Sequence, residues 1–319
     1  MSLITIFINA MNRFHSYIFL VGFSLVLMLD ATAQEARLSY DLKPGDSYML
    51  DIDLQQNTRS ESMNREEISL YSRTKIEFRV DSMNEGGDYH MTVLYRDLLV
   101  SMIAPRMEVD INSSNGRNLM LSNMVDSLTV GNFQVVMDQG GELRSIEGLD
   151  ALFKSMAAYP AKDTNEQLVI LKTLEETYGP DSFKSLFSLF ISVYPVVQPM
   201  TNWTNNITYY FNTKPVMMVN RYTLARITQE ALTIQGLGML NTEKEFHERT
   251  SMGEVKSVVS GSQTFDFHME PVTGWVKRCV SRQRVKIETT ILKSSYLPAG
   301  LKIPSYTETA FEVNGSKLK

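Results

Sequence analysis

The stretch Ser262–Glu270, SQTFDFHME, alternates apolar and polar side chains along its length. Phe265 and Phe267 share one parity, and Asp266 lies between them on the other. Successive side chains of a β-strand point to opposite faces of a sheet, so this pattern predicts a strand with one buried and one solvated face. The sequence then predicts a turn and a second long strand, Trp275–Leu292.

The same alternation fills the N-terminal half of the chain. We predict strands at Arg37–Leu42 and Tyr48–Gln56 around a turn at Lys43–Asp46, where Pro and Gly suit the two corner positions. Further strands are predicted at Ile68–Asp81 and Tyr89–Ile103. Residues 34–146 therefore read as an antiparallel β meander with one wet face.

Apolar spacing changes to a helical period between residues 147 and 195. Helices are predicted at Gly148–Ala158, Asn165–Tyr178 and Ser182–Val193. Strands resume over residues 196–319 as a second meander, with a last strand at Tyr306–Val313.

The order of these segments defines the predicted fold class. We expect an α+β protein, mostly antiparallel β, with two long-stranded curved meanders of half-barrel-like form around a central insert of two to three helices. Residues 34–319 are expected to form one compact unit.

The first 33 residues read as a secretory signal. Tyr17–Leu29 is an uncharged run, preceded by Arg13 and followed by small residues that end at Ala33. A run of about 13 residues is short for a bilayer core, which takes about 20 residues. We therefore expect a natural start at Met11 and cleavage after Ala33. An uncleaved anchor over Ser2–Leu29 is the alternative.

Cys279 is the only cysteine in the sequence. One cysteine excludes an intramolecular disulfide, and none lies at the processing site to carry a lipid. We therefore expect a periplasmic or secreted protein without a lipid anchor or stable membrane insertion after signal cleavage. Cys279 itself lies in a strand-like stretch, where we expect a buried core residue rather than a reactive thiol.

Charge and motif content argue against several functional classes. The net charge of −5 is mild and evenly mixed, so no basic field for nucleic acid is present. His247 shares a strand face with Glu245, and His268 with Asp266, but no second His or Cys stands at ligand spacing. We interpret both pairs as solvated strand faces. Without a nucleophile elbow or a phosphate loop, we expect no catalytic residue, metal or cofactor, and no enzyme activity.

A set of short motifs, in a fixed order, carries a resemblance to a known family. The motifs are Tyr40–Tyr48 (YDLKPGDSY), Phe133–Asp138, Gly141-Glu142, Ile146–Asp150, Tyr194-Pro195, Trp203, Thr264–Glu270 and Thr273-Gly-Trp275. The chain resembles, over about residues 36–293, a family of exported Bacteroidota proteins of unknown function, number 6263 in the domain-of-unknown-function series. The resemblance implies export and assigns no catalytic residues. Members often carry a lipoprotein cysteine, which this chain lacks.

The predicted layout is also similar to that of periplasmic lipoprotein carriers, in which a curved sheet and a helical lid enclose acyl chains. On this basis we expect a non-catalytic binding or carrier module for an apolar ligand such as a lipid. The expected lining residues are Tyr89, Met91, Tyr95, Phe187, Phe190, Phe265 and Phe267. The alternative is an envelope interaction or scaffold protein with a filled core, envelope proteins as partners and no small-molecule ligand.

Overall fold

Long antiparallel strands dominate the part of the chain that the structure describes. The computed structural model describes residues 38–61, 67–105, 107–112, 128–158, 179–195, 201–211, 214–242, 244–250 and 253–319, with scattered positions between 164 and 175. The strands are β1 (Ser47–Ser60), β2 (Glu67–Met83), β3 (Tyr89–Ala104), β4 (Met107–Asn112), β5 (Phe133–Met137), β6 (Leu143–Glu147), β7 (Asn202–Phe211), β8 (Lys214–Ile227), β9 (Leu232–Asn241), β10 (Phe246–Thr250), β11 (Gly253–Met269), β12 (Val276–Lys293) and β13 (Lys302–Lys317). The helices are α1 (Leu149–Ala158) and α2 (Pro180–Ser188).

All thirteen of these strands belong to one sheet. Its order is β6-β5-β3-β2-β1-β13-β12-β11-β9-β8-β7, with β4 beside β3 and β10 beside β11. The first strand, β1, thus lies in the middle of the sheet, and the strands that follow it extend to one edge at β6. The later strands begin at the opposite edge with β7 and end with β13, which pairs with β1. The central pair β1–β13 is in register from Tyr48 opposite Lys317 to Ser60 opposite Ser305. This pairing makes the two predicted meanders a single sheet.

Helix α2 contacts both β6 and β7, the two ends of the hydrogen-bonded path. Because both ends of the sheet reach the same helix, the sheet curves around it. We call the face toward α2 the inner face and the opposite one the outer face.

The two faces follow directly from the alternation in the sequence. In β2, Ile76, Phe78 and Val80 are buried on the inner face. The outer face carries cross-strand ion pairs, such as Arg73 with Asp51 at 2.7 Å. Such exposed pairs contribute about 0.2–1 kcal/mol each. The burial of inner-face apolar side chains is therefore the main stabilising term.

Most of the predicted β-strands are confirmed, whereas the described residues support the predicted helical insert only in part. Helix α1 agrees with the prediction at Gly148–Ala158, but α2 ends at Ser188 rather than Val193. After Ser188 the backbone forms turns, in which Phe190, Ile191 and Val193 stay buried. The prediction at Asn165–Tyr178 lies largely outside the described residues, as does the signal at 1–33. The structure is β-dominated, and the α+β label overstates its helices.

The segment 38–42 is a second correction, because it forms no strand. Leu38, Tyr40 and Leu42 are buried, which gives the same period-2 pattern as a strand. However, the backbone N–H of Tyr40 donates to Gln139 O, and that of Asp41 donates to Thr273 O. The segment therefore crosses from one turn to another instead of joining a ladder. Residues 37–319 form one compact unit.

Candidate functional site on the inner face

Among the residues that the structure describes, no charged side chain is buried on the inner face. Lys317, which is opposite Tyr48 at the end of β13, is exposed and pairs with Asp46 at 2.6 Å. The buried side chains of the inner face are aliphatic or aromatic, or carry a hydroxyl, an amide or a sulfur atom. Beyond the fully buried rows the face continues as a half-buried apolar patch, formed by Leu54, Leu70, Leu98, Val100 and Met102. A charge buried without a partner is costly, so a face of this composition suits apolar or neutral contacts.

An aromatic cluster joins α2 to the N-terminal half of the sheet. Phe183 and Phe187 stack with ring centroids 4.0 Å apart, and Phe190 lies 5.2 Å from Phe187. Phe133 contacts Phe183 edge to face at 5.0 Å. The half-buried Tyr95 ring extends this cluster, 6.0 Å from Phe133.

A second aromatic cluster lies in the C-terminal half. The Tyr222 ring is 5.7 Å from Trp203 and 5.9 Å from Phe265, and Phe265 stacks on Phe267 at 5.6 Å. Gly236 of β9 makes room for it, because a Cβ there would be 2.7 Å from Tyr222 Cδ1 and 3.0 Å from Phe265 Cδ2.

The seven predicted lining residues therefore do not form one ring. Tyr95, Phe187 and Phe190 belong to the first cluster, and Phe265 and Phe267 to the second. Met91 and Tyr89 are fully buried in β3. The Tyr89 hydroxyl donates to Tyr40 O at 3.0 Å and accepts from Leu42 N at 3.3 Å, which ties it to the end of the sheet described below.

Between the aromatic side chains runs a row of buried polar residues, which we call the polar belt: Asn220, Gln263, Ser281, Gln283 and Thr309. Register aligns Asn220, Gly238, Gln263, Gln283 and Thr309 across five adjacent strands, and Ser281 lies two residues before Gln283. Gln263 Nε2 donates to Ser281 Oγ at 2.7 Å, and Gln283 Nε2 donates to Gln263 Oε1 at 3.1 Å. The central members of the belt thus satisfy one another.

Asn220 and Tyr222 differ from the rest of this region. Asn220 is 0% exposed, yet neither Nδ2 nor Oδ1 has a hydrogen-bond partner, and the Tyr222 hydroxyl, on a side chain 1% exposed, has none either. Burial raises the pKa of Tyr222, and a smaller hydrogen-bond contribution from the neighbouring Asn220 side chain lowers it. The geometry between these two groups nevertheless falls outside that of a formed hydrogen bond. Gly238 separates Asn220 from Gln263 and offers no side chain to either.

The sequence analysis missed the polar belt. Its signal was present in the parity of the strands, since Asn220 falls between Met218 and Tyr222 on the inward parity, and Gln263 shares the parity of Phe265. A polar residue at an apolar parity position is the pattern that identifies it.

One end of the sheet is closed by the segment 38–42 and the turns around it, and we call this the closed end. The Tyr40 hydroxyl donates to Ile191 O at 2.9 Å, and the Tyr194 hydroxyl donates to Gly274 O at 2.8 Å. The Trp275 ring packs 4.7 Å from Tyr48. Most motifs of the family resemblance meet here, although they are far apart in sequence. Two buried atoms of this end, Ser39 Oγ and Trp275 Nε1, have no partner.

Glu270 holds the turn that leads to Trp275 at the closed end. Its Oε2 accepts from the backbone N–H of Thr273 at 2.6 Å, from the Thr273 hydroxyl at 2.8 Å and from Val272 N at 3.1 Å. Burial alone would raise the pKa of Glu270, but these hydrogen bonds outweigh it and hold the pKa below its usual value.

The candidate reactive residues are buried or solvated. Cys279 is buried as predicted, and burial raises the pKa of its thiol, with the charge of Asp266 adding to the rise. His247 lies 3.8 Å from Glu245, and His268 lies 3.7 Å from Asp266, each on substantially exposed side chains. Among the residues that the structure describes, no group of three His, Cys, Asp or Glu is placed to hold a metal.

A groove of about 390 Å³ opens on the outer face, beside Gly261. Met239 and Tyr306 line it together with Arg284 and Glu308, which form an exposed ion pair at 3.2 Å. Its charged rim distinguishes this groove from the inner face.

The fold and the inner face define an antiparallel β-sheet protein with an uncharged interior. The model of DUF6263, a family of unknown function, matches residues 86–276, and the chain belongs to this family. No curated protein matches the chain. No helix in the described parts of the chain combines the length and hydropathy needed for a membrane span.

Among solved structures, a lipovitellin chain from a study of lipid-protein interactions in lipovitellin is similar in fold. It has 9% identity and a TM-score of 0.50 over 86% of this chain. The match covers 25% of the lipovitellin chain, so the present chain spans about a quarter of that length. OpdQ of Pseudomonas aeruginosa matches 87% of this chain and 100% of its own at 6% identity, with a TM-score of 0.23, which is too low to indicate a shared fold.

Proposed function

We propose that the protein is a non-catalytic binding or carrier module for an apolar ligand such as a lipid. It acts after export, as a released periplasmic or secreted protein. The observation that carries the proposal is the inner face, on which none of the described buried side chains is charged. In this proposal the curved sheet acts as a half-barrel, with α2 at the gap between its edges.

The energetics of transfer from water support such a role. Each methylene removed from water contributes about 0.8 kcal/mol, so an acyl chain gains several kcal/mol from even partial burial. The half-buried patch around Leu98 and Met102 gives a chain of this kind apolar surface to contact. The lipovitellin structure concerns lipid–protein interactions, and the similar fold makes a lipid the first ligand to test.

Native mass spectrometry of the protein, purified without detergent from its own host, tests the proposal. We expect an adduct of lipid mass that disappears on denaturation and can be extracted into organic solvent. Reproducible absence of any such adduct, together with failure to bind added apolar probes, would count against a carrier.

The alternative role is that of an envelope interaction or scaffold protein. One observation favours it: Met217, Leu237 and Met239 are 40%, 49% and 50% exposed on adjacent strands of the outer face. Exposed apolar side chains that cluster in this way are typical of protein contact surfaces. Cross-linking in the native host, with wild type compared to Leu237→Lys, separates the two roles. A scaffold loses an envelope partner in the variant, whereas a carrier keeps its lipid adduct.

A further inference from the structure

The buried Asn220 amide and Tyr222 hydroxyl have no partner, and this is unusual for groups at such depth. In native structures the large majority of buried polar side-chain atoms make at least one hydrogen bond. A buried polar group without a hydrogen bond lowers the stability of the fold. Two adjacent groups of this kind therefore destabilise the ligand-free protein.

Other buried amide side chains on the adjacent strands do find hydrogen-bond partners. Gln263, Ser281 and Gln283 lie in the same belt and are bonded to one another. Asn220 is cut off from them by Gly238, over whose Cα the amide oxygen lies so closely that a Cβ would collide with it. The glycine thus interrupts the hydrogen-bonded row at the point where the unpaired groups begin.

The two unpaired side chains determine which chemistry they can bind. A carboxamide donates through Nδ2 and accepts through Oδ1, and a phenol can do both. No charged side chain is buried among the described residues around them, so no buried charge there compensates a charged ligand group. The apolar part of a ligand would meet the adjacent aromatic rings, Trp203 and Phe265, which lie 5.7 and 5.9 Å from the Tyr222 ring.

We infer that Asn220 and Tyr222 form the head-group site for an uncharged amphiphilic lipid whose head carries hydroxyl and ester carbonyl groups. This inference rests on the proposed function and names the class of ligand for it. A neutral head group both donates to and accepts from the two side chains, and its acyl chain lies along the uncharged inner face.

Three probes with the same oleoyl chain test the inference. They are 1-monooleoylglycerol, which is neutral with hydroxyls and an ester, methyl oleate, which lacks the hydroxyls, and oleate, which is an anion at pH 8. Displacement of a fluorescent apolar dye from the full chain gives the affinities. We expect wild type to bind monooleoylglycerol about tenfold more tightly than oleate or methyl oleate, as one or two net hydrogen bonds allow.

Variants assign that preference to the two side chains. Tyr222→Phe removes only the hydroxyl, and Asn220→Leu replaces the amide with an apolar group of similar branching. Each should reduce monooleoylglycerol affinity about fivefold and reduce methyl oleate affinity less, because methyl oleate keeps the ester carbonyl and lacks the hydroxyls. Thr307→Val is the matched control, because it removes a buried inner-face hydroxyl that is already paired with Thr58 at 3.1 Å. It should keep the wild-type preference.

The outcomes separate the inference from the function on which it rests. If wild type binds none of the three probes, the carrier function fails. If wild type binds all three alike, or if Tyr222→Phe keeps the full preference for monooleoylglycerol, the carrier stands and the head-group site is wrong. Tyr222→Phe decides the matter even if Asn220→Leu does not fold.

Discussion

The closed end and the region of the polar belt both contain deeply buried tyrosine side chains, and the hydroxyls of these tyrosines differ in their hydrogen bonding. The hydroxyls of Tyr40 and Tyr194 each donate to a backbone carbonyl, at 2.9 and 2.8 Å. Tyr222 is as deeply buried as these two, and its hydroxyl has no partner. Equal burial with unequal satisfaction indicates different roles. The closed end stabilises the fold, and in our proposal Tyr222 and Asn220 are kept for a ligand.

The largest expected effect tests how tightly the closed end is packed. Gly141 has φ +91°, and a Cβ there would overlap Ile191 O. We expect Gly141→Ala to lower the free energy of unfolding by about 3 kcal/mol, because left-handed strain and steric overlap add. Urea denaturation measures this. Gly45→Ala is the control, since Gly45 has φ +90° with open space around it and should cost about 1–2 kcal/mol. Equal losses in the free energy of unfolding for the two variants would show that the closed end rearranges to accommodate the added Cβ.

The next effect tests whether the centre of the polar belt is structural. Gln263→Leu leaves Ser281 and the Gln283 amide without a partner, and we expect a loss of about 2 kcal/mol in urea denaturation. Gln56→Leu is the matched control, because Gln56 is half-buried and makes a single long bond, at 3.5 Å to Thr58. If both variants lose the same stability, the belt network contributes nothing beyond ordinary packing.

A smaller effect should be visible in the pH dependence of the closed end. The folded-state pKa of Glu270 lies below its unfolded value, so this group adds stability above the unfolded pKa of about 4.3. That contribution is lost as the pH falls through the folded-state pKa. We expect the melting temperature of Glu270→Gln to fall less steeply than that of wild type below about pH 4.5. Parallel curves for the two proteins would contradict this; Glu85→Gln, in an exposed turn, serves as control.

Much of this fold could be predicted from alternation alone, because long strands with one wet face have a strong period. The pairing of β13 with β1 could not be predicted in this way. Alternation indicates which face of the sheet a side chain lies on, but it does not indicate which strands are neighbours. The segment 38–42 misled the prediction for the same reason, because its alternate burial mimics a strand that makes no ladder.

The candidate site was predictable only in part. Aromatic residues such as Phe265 and Phe187 were expected on inward faces, and they are buried there. Asn220 and Gly238 were not, because their role depends on register between β8, β9 and β11, which places Gly238 between Asn220 and Gln263.

The most direct test of the contrast between the two regions compares Tyr194→Phe with Tyr222→Phe in ligand-free protein, by thermal and urea unfolding. Removal of the Tyr194 hydroxyl leaves Gly274 O unpaired, so we expect a loss of about 1 kcal/mol. Removal of the unpartnered Tyr222 hydroxyl should cost nothing or slightly stabilise the protein. An equal loss in both variants would mean that the Tyr222 hydroxyl is already satisfied in the free protein, and it would contradict a belt left open for a ligand.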